Sequence, residues 1–116
     1  MSYKIAVTHT FDKELKRLAK KHRSIKADVS ELGQQLEQNP AMGDEVMKNC
    51  YKIRMAITSK NKGKSGGARV ITYVYVVKET VFLLSIYDKG EQEVIENHEL
   101  KALIEALGVR RIKTGY

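Results

Sequence analysis

Residues 50–55 read CYKIRM, residues 67–77 read GARVITYVYVV, and residues 81–91 read VFLLSIYDKGE. Apolar side chains occupy every second position of the first stretch, and the other two are rich in β-branched and aromatic residues, which is typical of strands. Only a short turn at residues 78–80 separates the second stretch from the third. We therefore expect three consecutive strands that pair as an antiparallel meander.

The first half of the chain predicts one strand and two helices. Residues 3–8 alternate as a half-buried strand does, and Thr10 is placed to cap a helix whose first turn is acidic. Ser24 starts a second amphipathic pattern, which ends before Pro40. Residues 39–49 are predicted to be a loop.

A third amphipathic pattern follows the last strand. Its apolar positions run from Val94 to Leu107, with Asn97 as a candidate cap and Gly108 as its end. The predicted order is β-α-α-β-β-β-α. This order favours one α+β domain over residues 1–116, in which an N-terminal helical hairpin packs on one face of an antiparallel sheet and a C-terminal helix completes the fold.

The charge of the chain is strongly basic and unevenly distributed. Lys and Arg number 21 against 14 Asp and Glu, a formal net charge of +7. Such an excess favours association with phosphate backbones or with an acidic protein segment. No acidic residue occurs between Glu45 and Glu79. The same interval holds eight basic residues: Lys48, Lys52, Arg54, Lys60, Lys62, Lys64, Arg69 and Lys78.

Several functional classes have no support in the sequence. The single cysteine, Cys50, cannot form an internal disulfide, and no Cys/His cluster has the spacing of metal ligands. No apolar run approaches the roughly 20 residues of a membrane span, and the N-terminus lacks a secretory apolar segment. Gly63-Lys64-Ser65 lacks the earlier glycine of a phosphate-binding P-loop. We therefore expect a cytoplasmic protein that uses no metal or cofactor.

The candidate chemistry lies in cations from three strands. Lys52 and Arg54 project from the same face of one strand, Arg69 begins the next, and Tyr87 and Lys89 end the third. If they converge, they offer what RNA cleavage by its own 2′-hydroxyl requires: a proton acceptor, cations that stabilise the phosphorane, and an acid for the leaving oxygen. Crowded cations also favour the neutral form of a lysine. The alternative interpretation is a solvated sheet face.

The remaining aromatic and titratable residues are expected to be structural. Tyr73 and Tyr75 are predicted to pack against a helix, and Cys50 to be a small buried residue. His9, His22 and His98 are scattered over helices and their edges. The polar, glycine-rich residues 58–67 are interpreted as a flexible connection, or as a loop that contacts ribosomal RNA.

The three strand blocks, in this order, resemble the RelE/ParE toxin superfamily. Residues 50–55, 67–73 and 83–91 carry the resemblance, and the Lys/Gly loop before Arg69 is similar to that of the HigB-like branch. The resemblance implies a RelE-like microbial RNase fold and metal-independent, ribosome-dependent cleavage of mRNA. It also implies a cognate antitoxin that covers the basic face.

The resemblance also implies roles for individual residues. Lys52 matches the candidate general base, Arg54 a second cation, Arg69 the arginine that steadies the transition state, and Lys89 the group that protonates the leaving oxygen. Lys60 and Lys62 remain open as alternative proton acceptors, and lysines on the connecting segments are expected to bind RNA or the ribosome. These are Lys48, Lys60, Lys62 and Lys64.

Two alternatives and one departure from the family pattern remain. The tyrosine that stacks on the substrate base falls at Ile95, so Tyr87 is the candidate substitute. The alternatives are a ParE-like inhibitor of DNA gyrase and a non-catalytic module that binds nucleic acid or an antitoxin. The presence of Lys52, Arg54 and Arg69 together with a lysine at position 89 favours the nuclease.

Overall fold

The computed structural model describes residues 2–61, 63–92 and 94–108. The elements are β1 (Lys4–Val7), α1 (His9–Ala19), α2 (Ile25–Gln38), β2 (Asp44–Met47), β3 (Cys50–Met55), β4 (Ala68–Tyr75), β5 (Thr80–Asp88) and α3 (Asn97–Ala106), with short 3-10 turns at Thr58–Lys60 and Val76–Lys78. In the described part of the chain, no helix combines the length and the apolar character needed to cross a bilayer.

The strands form one mixed sheet in the order β1-β5-β4-β3-β2. β1 pairs with β5 in parallel, and the other pairs are antiparallel. The register places Arg54 opposite Arg69 and Arg69 opposite Tyr87, because β3, β4 and β5 run side by side as antiparallel neighbours. An irregularity between Ile71 and Thr72 shifts the register in the middle of β4.

Helices cover both faces of the sheet. On the α1–α2 face, Phe11, Leu18 and Leu36 belong to a buried cluster with Val70 and Ile86 of the sheet. On the α3 face, a second cluster joins the helix to residues of β3, β4 and β5. Its buried members are Cys50, Ile71, Tyr73, Tyr75, Leu84, Tyr87, Leu100 and Ile104. The α+β fold predicted from the sequence is confirmed, as are the structural roles of Tyr73, Tyr75 and Cys50.

The prediction of a loop over residues 39–49 was wrong in part, because β2 lies within it. Asp44 and Glu45 are exposed, and β2 pairs with β3 along one side only. A short edge strand without a buried face shows no alternation of apolar and polar residues. Its sequence therefore gave no strand signal.

Two helix starts also differ from the prediction. Thr8, not Thr10, caps α1: its Oγ1 accepts a hydrogen bond from the Phe11 amide at 3.2 Å and donates one to the Leu83 carbonyl at 2.9 Å. At α3 the cap is Glu96, one residue before Asn97, and a reciprocal pair of bonds with Glu99 stabilises the first turn.

Candidate functional site

Arg54, Arg69 and Tyr87 form a row across three strands on the α3 face. Each residue is the direct partner of the next in the antiparallel register. Residues directly opposite one another in such pairs have Cα atoms about 5 Å apart. The row therefore brings two guanidinium groups and a phenol to the same end of the sheet.

Arg69 is buried, with only 5% of its surface exposed. Its Nη1 donates hydrogen bonds to the carbonyl oxygens of Lys64 (3.1 Å) and Ala68 (3.2 Å), and its Nη2 donates to the carbonyl of Ser65 (3.4 Å). These carbonyl dipoles compensate the buried positive charge. Arg69 thereby fastens the glycine-rich loop to the start of β4.

Tyr87 is equally buried, and its hydroxyl has no hydrogen-bond partner among the described residues. Burial raises the pKa of Tyr87, an effect that the nearby charge of Arg69 partly offsets. A buried hydroxyl without a partner costs about 1–3 kcal/mol. It is a polar atom that a bound ligand could satisfy.

Lys52 lies on the same face, two residues from Arg54 and therefore about 7 Å away along β3. It borders a cleft of about 180 Å³ between the sheet and the start of α3. The cleft is otherwise mainly apolar, and its lining is Val46, Lys52, Ile71, Val94, Ile95, Asn97 and Leu100. Among the described residues, neither Lys52 nor the exposed Arg54 has a hydrogen-bond or ion-pair partner for its side chain.

Lys89 follows β5 at the same end of the sheet. Its backbone amide donates to the Gly67 carbonyl at 3.0 Å, and its half-buried side chain has no partner in the described part of the chain. Gly67 cannot be another residue without rearrangement, because a Cβ atom there would overlap the Met55 carbonyl oxygen. Lys89 is thus tied by its backbone to the junction of the loop and β4.

Asp88 is the centre of a buried polar network that the sequence analysis missed. The residue is 3% exposed; its Oδ2 lies 2.9 Å from His22 Nε2, and its Oδ1 accepts from Lys60 Nζ at 3.0 Å and from the Gly90 amide at 2.8 Å. Burial alone would raise the Asp88 pKa, but the bonds from Gly90, Lys60 and His22 outweigh it and lower the pKa to about 2. Because the partners come from distant parts of the chain, no sequence spacing indicated them.

The predicted RNA-binding lysines lie in different places. Lys60 is held by Asp88, and Lys64 is exposed in the loop. Lys48 is exposed in the turn before β3, so the length of that strand, about 20 Å, separates it from the loop. Lys62 lies outside the described residues. Within those residues, no group of three or more His, Cys, Asp or Glu side chains is placed to hold a metal ion.

Comparisons with solved structures support the fold. The isolated Escherichia coli RelE toxin is 20% identical, with 96% of this chain and 99% of that chain covered and a TM-score of 0.59. A double mutant of the same toxin in the free state is 23% identical, with 80% and 90% covered and a TM-score of 0.59. The RelBE2 toxin–antitoxin complex from Mycobacterium tuberculosis is 19% identical, with 76% and 99% covered and a TM-score of 0.58.

A family comparison gives the stronger assignment. The model of a family described as "RelE toxin of RelE / RelB toxin-antitoxin system" matches residues 3–111. This match contains all the described strands and helices, and with them the row of Arg54, Arg69 and Tyr87. The chain belongs to the RelE toxin family.

Proposed function

We propose that this protein is the toxin of a type II toxin–antitoxin system, and that it cleaves mRNA on the ribosome without a metal ion. One observation carries the proposal: Lys52 and Arg54 lie beside the buried Arg69 and Tyr87 without any carboxylate partner among the described residues. An unpaired lysine at the border of a partly apolar cleft, with an exposed arginine two residues away on the same strand, suits a phosphate with an attached base.

In the proposed reaction the RNA supplies its own nucleophile. The side-chain nitrogen of Lys52 accepts the proton of the 2′-hydroxyl, the 2′-oxygen bonds to phosphorus, and the bond from phosphorus to the 5′-oxygen breaks. Lys89 gives a proton to that leaving oxygen, which yields a 2′,3′-cyclic phosphate and a 5′-hydroxyl. The arginines stabilise the additional negative charge of the phosphorane.

The two arginines contribute differently. Arg54 is exposed and can reach phosphate oxygens, whereas the donors of Arg69 are directed at the carbonyls of Lys64 and Ser65. We therefore assign direct phosphate contact to Arg54. Arg69 supports the site through its charge and by holding the loop.

Recognition of the substrate base is assigned to the apolar cleft beside Lys52. Val46 and Val94 are exposed there, and Ile95, which the resemblance matches to the family's stacking tyrosine, also lines the cleft. The ring of Tyr87 is 3% exposed, which limits the surface on which a base could stack. The aliphatic side chains of the cleft provide an apolar surface that a nucleotide base can contact, so the ring of Tyr87 is not required for this role.

A cognate antitoxin is the proposed regulatory partner. The similarity to the toxin–antitoxin complex RelBE2 supports this proposal, as do Lys52 and Arg54, which have no partner among the described residues. An acidic or amphipathic antitoxin segment would neutralise them and keep the toxin inactive by mass action. Membership of the HigB-like branch rests on the Lys/Gly loop and stays a prediction.

The proposal is tested with Lys52→Gln in a cell-free translation reaction in which the 5′ ends of the mRNA are mapped. We expect codon-phased cuts with the wild type and about 100-fold slower cleavage with the variant, the usual contribution of a positioned proton acceptor. Lys78→Gln, which removes an exposed lysine from the turn before β5, is the matched control and should cleave normally.

Two outcomes would overturn the proposal. Cleavage by Lys52→Gln at the wild-type rate would remove Lys52 from the reaction. Intact mRNA combined with inhibition of DNA supercoiling would identify a gyrase inhibitor of the ParE type instead.

A further inference from the structure

The turn that follows β5 carries Lys89, and the residue before it determines the shape of this turn. Asp88 Oδ1 accepts a hydrogen bond from the Gly90 amide at 2.8 Å. The Asp88 carbonyl accepts two more, from the amides of Glu91 (2.9 Å) and Gln92 (3.1 Å). The three backbone amides that follow Lys89 therefore all donate to Asp88. Because Lys89 lies inside this turn, a movement of Asp88 displaces its side chain as well.

His22 holds the Asp88 side chain from the side of α1 and α2. It lies in the connection between these helices, is 9% exposed, and its Nε2 is 2.9 Å from Asp88 Oδ2. An ionised carboxylate only accepts hydrogen bonds, so the His22 ring donates from Nε2. Lys60 donates to the other oxygen, Oδ1, at 3.0 Å. Within the described residues, Oδ1 thus has two donors and Oδ2 has His22 alone.

The other side-chain contacts between this turn and the end of α1 are exposed. Glu91 pairs with Arg17 at 3.3 Å and with Lys21 at 2.7 Å, and the side chains of both cations are more than half exposed. Exposed pairs contribute little, because water and salt screen them. A buried hydrogen bond to a carboxylate is stronger and keeps one geometry. The contact from His22 is therefore the one best suited to fix the turn against the helices.

We propose that His22 is a positioning residue for cleavage: by holding Asp88, it orients Nζ of Lys89 towards the leaving 5′-oxygen. The inference rests on the proposed function, in which Lys89 protonates that oxygen. As the bond from phosphorus to the 5′-oxygen breaks, a proton passes from the Lys89 ammonium to the oxygen, and the lysine becomes a neutral amine. This transfer depends steeply on geometry, because donor and acceptor must be within hydrogen-bond reach. His22 is buried on the opposite face of the sheet and acts only through Asp88.

The experiment uses two mRNAs that differ in one atom, the bridging 5′-atom at the mapped cleavage site, which is oxygen in one and sulfur in the other. A thiol has an ordinary pKa of about 8.5, far below the value of about 15.7 for water, so a thiolate leaves without a proton from Lys89. Cleavage of each mRNA is measured on ribosomes that hold the mapped codon in the A site. The ratio of the two rates does not depend on the folded fraction of a variant, so a mere loss of stability slows both cleavages equally.

The test variant is His22→Phe, which keeps a ring but lacks the N–H donor. We expect it to cleave the oxygen mRNA about ten-fold more slowly than the wild type, and the sulfur mRNA within about two-fold of it. His22→Gln, whose amide can donate to the same carboxylate oxygen, should recover most of the lost rate. His9→Gln changes an exposed histidine at the start of α1 and, as the control, should match the wild type with both mRNAs.

Lys89→Gln separates this inference from the proposed function. If Lys89→Gln slows only the oxygen mRNA while His22→Phe slows both mRNAs equally or neither, Lys89 is the proton donor and His22 does not position it. If Lys89→Gln slows both mRNAs equally, another group protonates the leaving oxygen, and the roles given to Lys89 and His22 are both wrong. If the wild type cuts neither mRNA, the nuclease assignment fails and this inference fails with it.

Discussion

The two faces of the sheet treat their charges in opposite ways at the end of β5. On the α1–α2 face, the buried carboxylate of Asp88 contacts His22 and Lys60. On the α3 face, within the described residues, Lys52 and Arg54 have no partner. Tyr87 and Asp88 are consecutive residues of β5. The face with the paired carboxylate and the face with the unpaired cations therefore meet within two neighbouring residues of this strand.

This difference distinguishes structural charge from functional charge. A buried ion pair leaves an uncompensated charge behind when one partner is removed, so its loss is costly. An unpaired cation at the surface is stabilised by water and is available for a ligand's negative charge. We therefore expect changes at Asp88 to alter stability, and changes at Lys52 to alter cleavage with little effect on stability.

The largest effect on stability is expected for Asp88→Ala. The variant leaves the buried His22 and the ammonium of Lys60 without their acceptor, and it removes the bond that fixes the Gly90 amide. Urea unfolding should give a free energy of unfolding lower by about 3–5 kcal/mol.

The matched control for this variant is Glu91→Ala. Glu91 also pairs with two cations, Arg17 and Lys21, but all three side chains are substantially exposed. Its loss should cost less than about 1 kcal/mol. If Asp88→Ala and Glu91→Ala lowered the free energy of unfolding equally, burial would not be what makes the Asp88 contacts stabilising.

Most of the fold could be predicted because its signals are local. The period of two in residues 50–57 and the short turn before β5 determine which residues of β3, β4 and β5 are neighbours, and so bring Arg54, Arg69 and Tyr87 together. β2 escaped prediction because Asp44 and Glu45 bury no side of their strand.

The environment of the site could not be predicted in the same way. Arg69 is buried by the carbonyl oxygens of Lys64 and Ser65, and backbone carbonyls leave no signature in a sequence. His22 and Lys60 meet Asp88 across separations of 66 and 28 residues, so their contacts depend on how the α1–α2 connection and the turn at Thr58–Lys60 are placed against β5. Spacing within a single element could identify candidate cations, but it could not show which of them are neutralised.

At low pH, the contacts of the Asp88 carboxylate with its buried partners should be lost, and the stability of the fold should decrease. Hydrogen bonds and the charge of Lys60 hold the Asp88 pKa at about 2, below its ordinary value of 3.8. A carboxyl with a lowered native pKa contributes stability above its unfolded pKa and loses it as pH falls through the native pKa. Stability should therefore decrease by about 2 kcal/mol as the pH falls from about 4 to about 2.

The measurement is urea unfolding over this pH range for the wild type and Asp88→Asn, which cannot ionise. The variant should lack this part of the pH dependence. Glu14 provides an internal contrast, because burial raises its pKa despite hydrogen bonds from the Ile86 amide and the Ser85 hydroxyl. Its contribution has the opposite sign: it is present below the unfolded pKa and is lost as pH rises through the native pKa. If Asp88→Asn showed the same dependence of the free energy of unfolding on pH as the wild type, Asp88 would not be the group responsible.

A small gain in stability is expected from removing the Tyr87 hydroxyl, which has no hydrogen-bond partner among the described residues. Tyr87→Phe removes a buried polar atom without a partner, so the free energy of unfolding should rise by about 1 kcal/mol. Tyr75→Phe is the matched control, because its hydroxyl is also buried and unpartnered but lies at the other end of β4, opposite Thr80. Both variants should gain stability, and only Tyr87→Phe should also cleave mRNA several-fold more slowly, since only its hydroxyl lies beside Arg69. If the two variants cleaved mRNA at the same rate, neither hydroxyl would take part in the reaction. The candidate site would then consist of Lys52, Arg54 and Lys89, without the phenol of Tyr87.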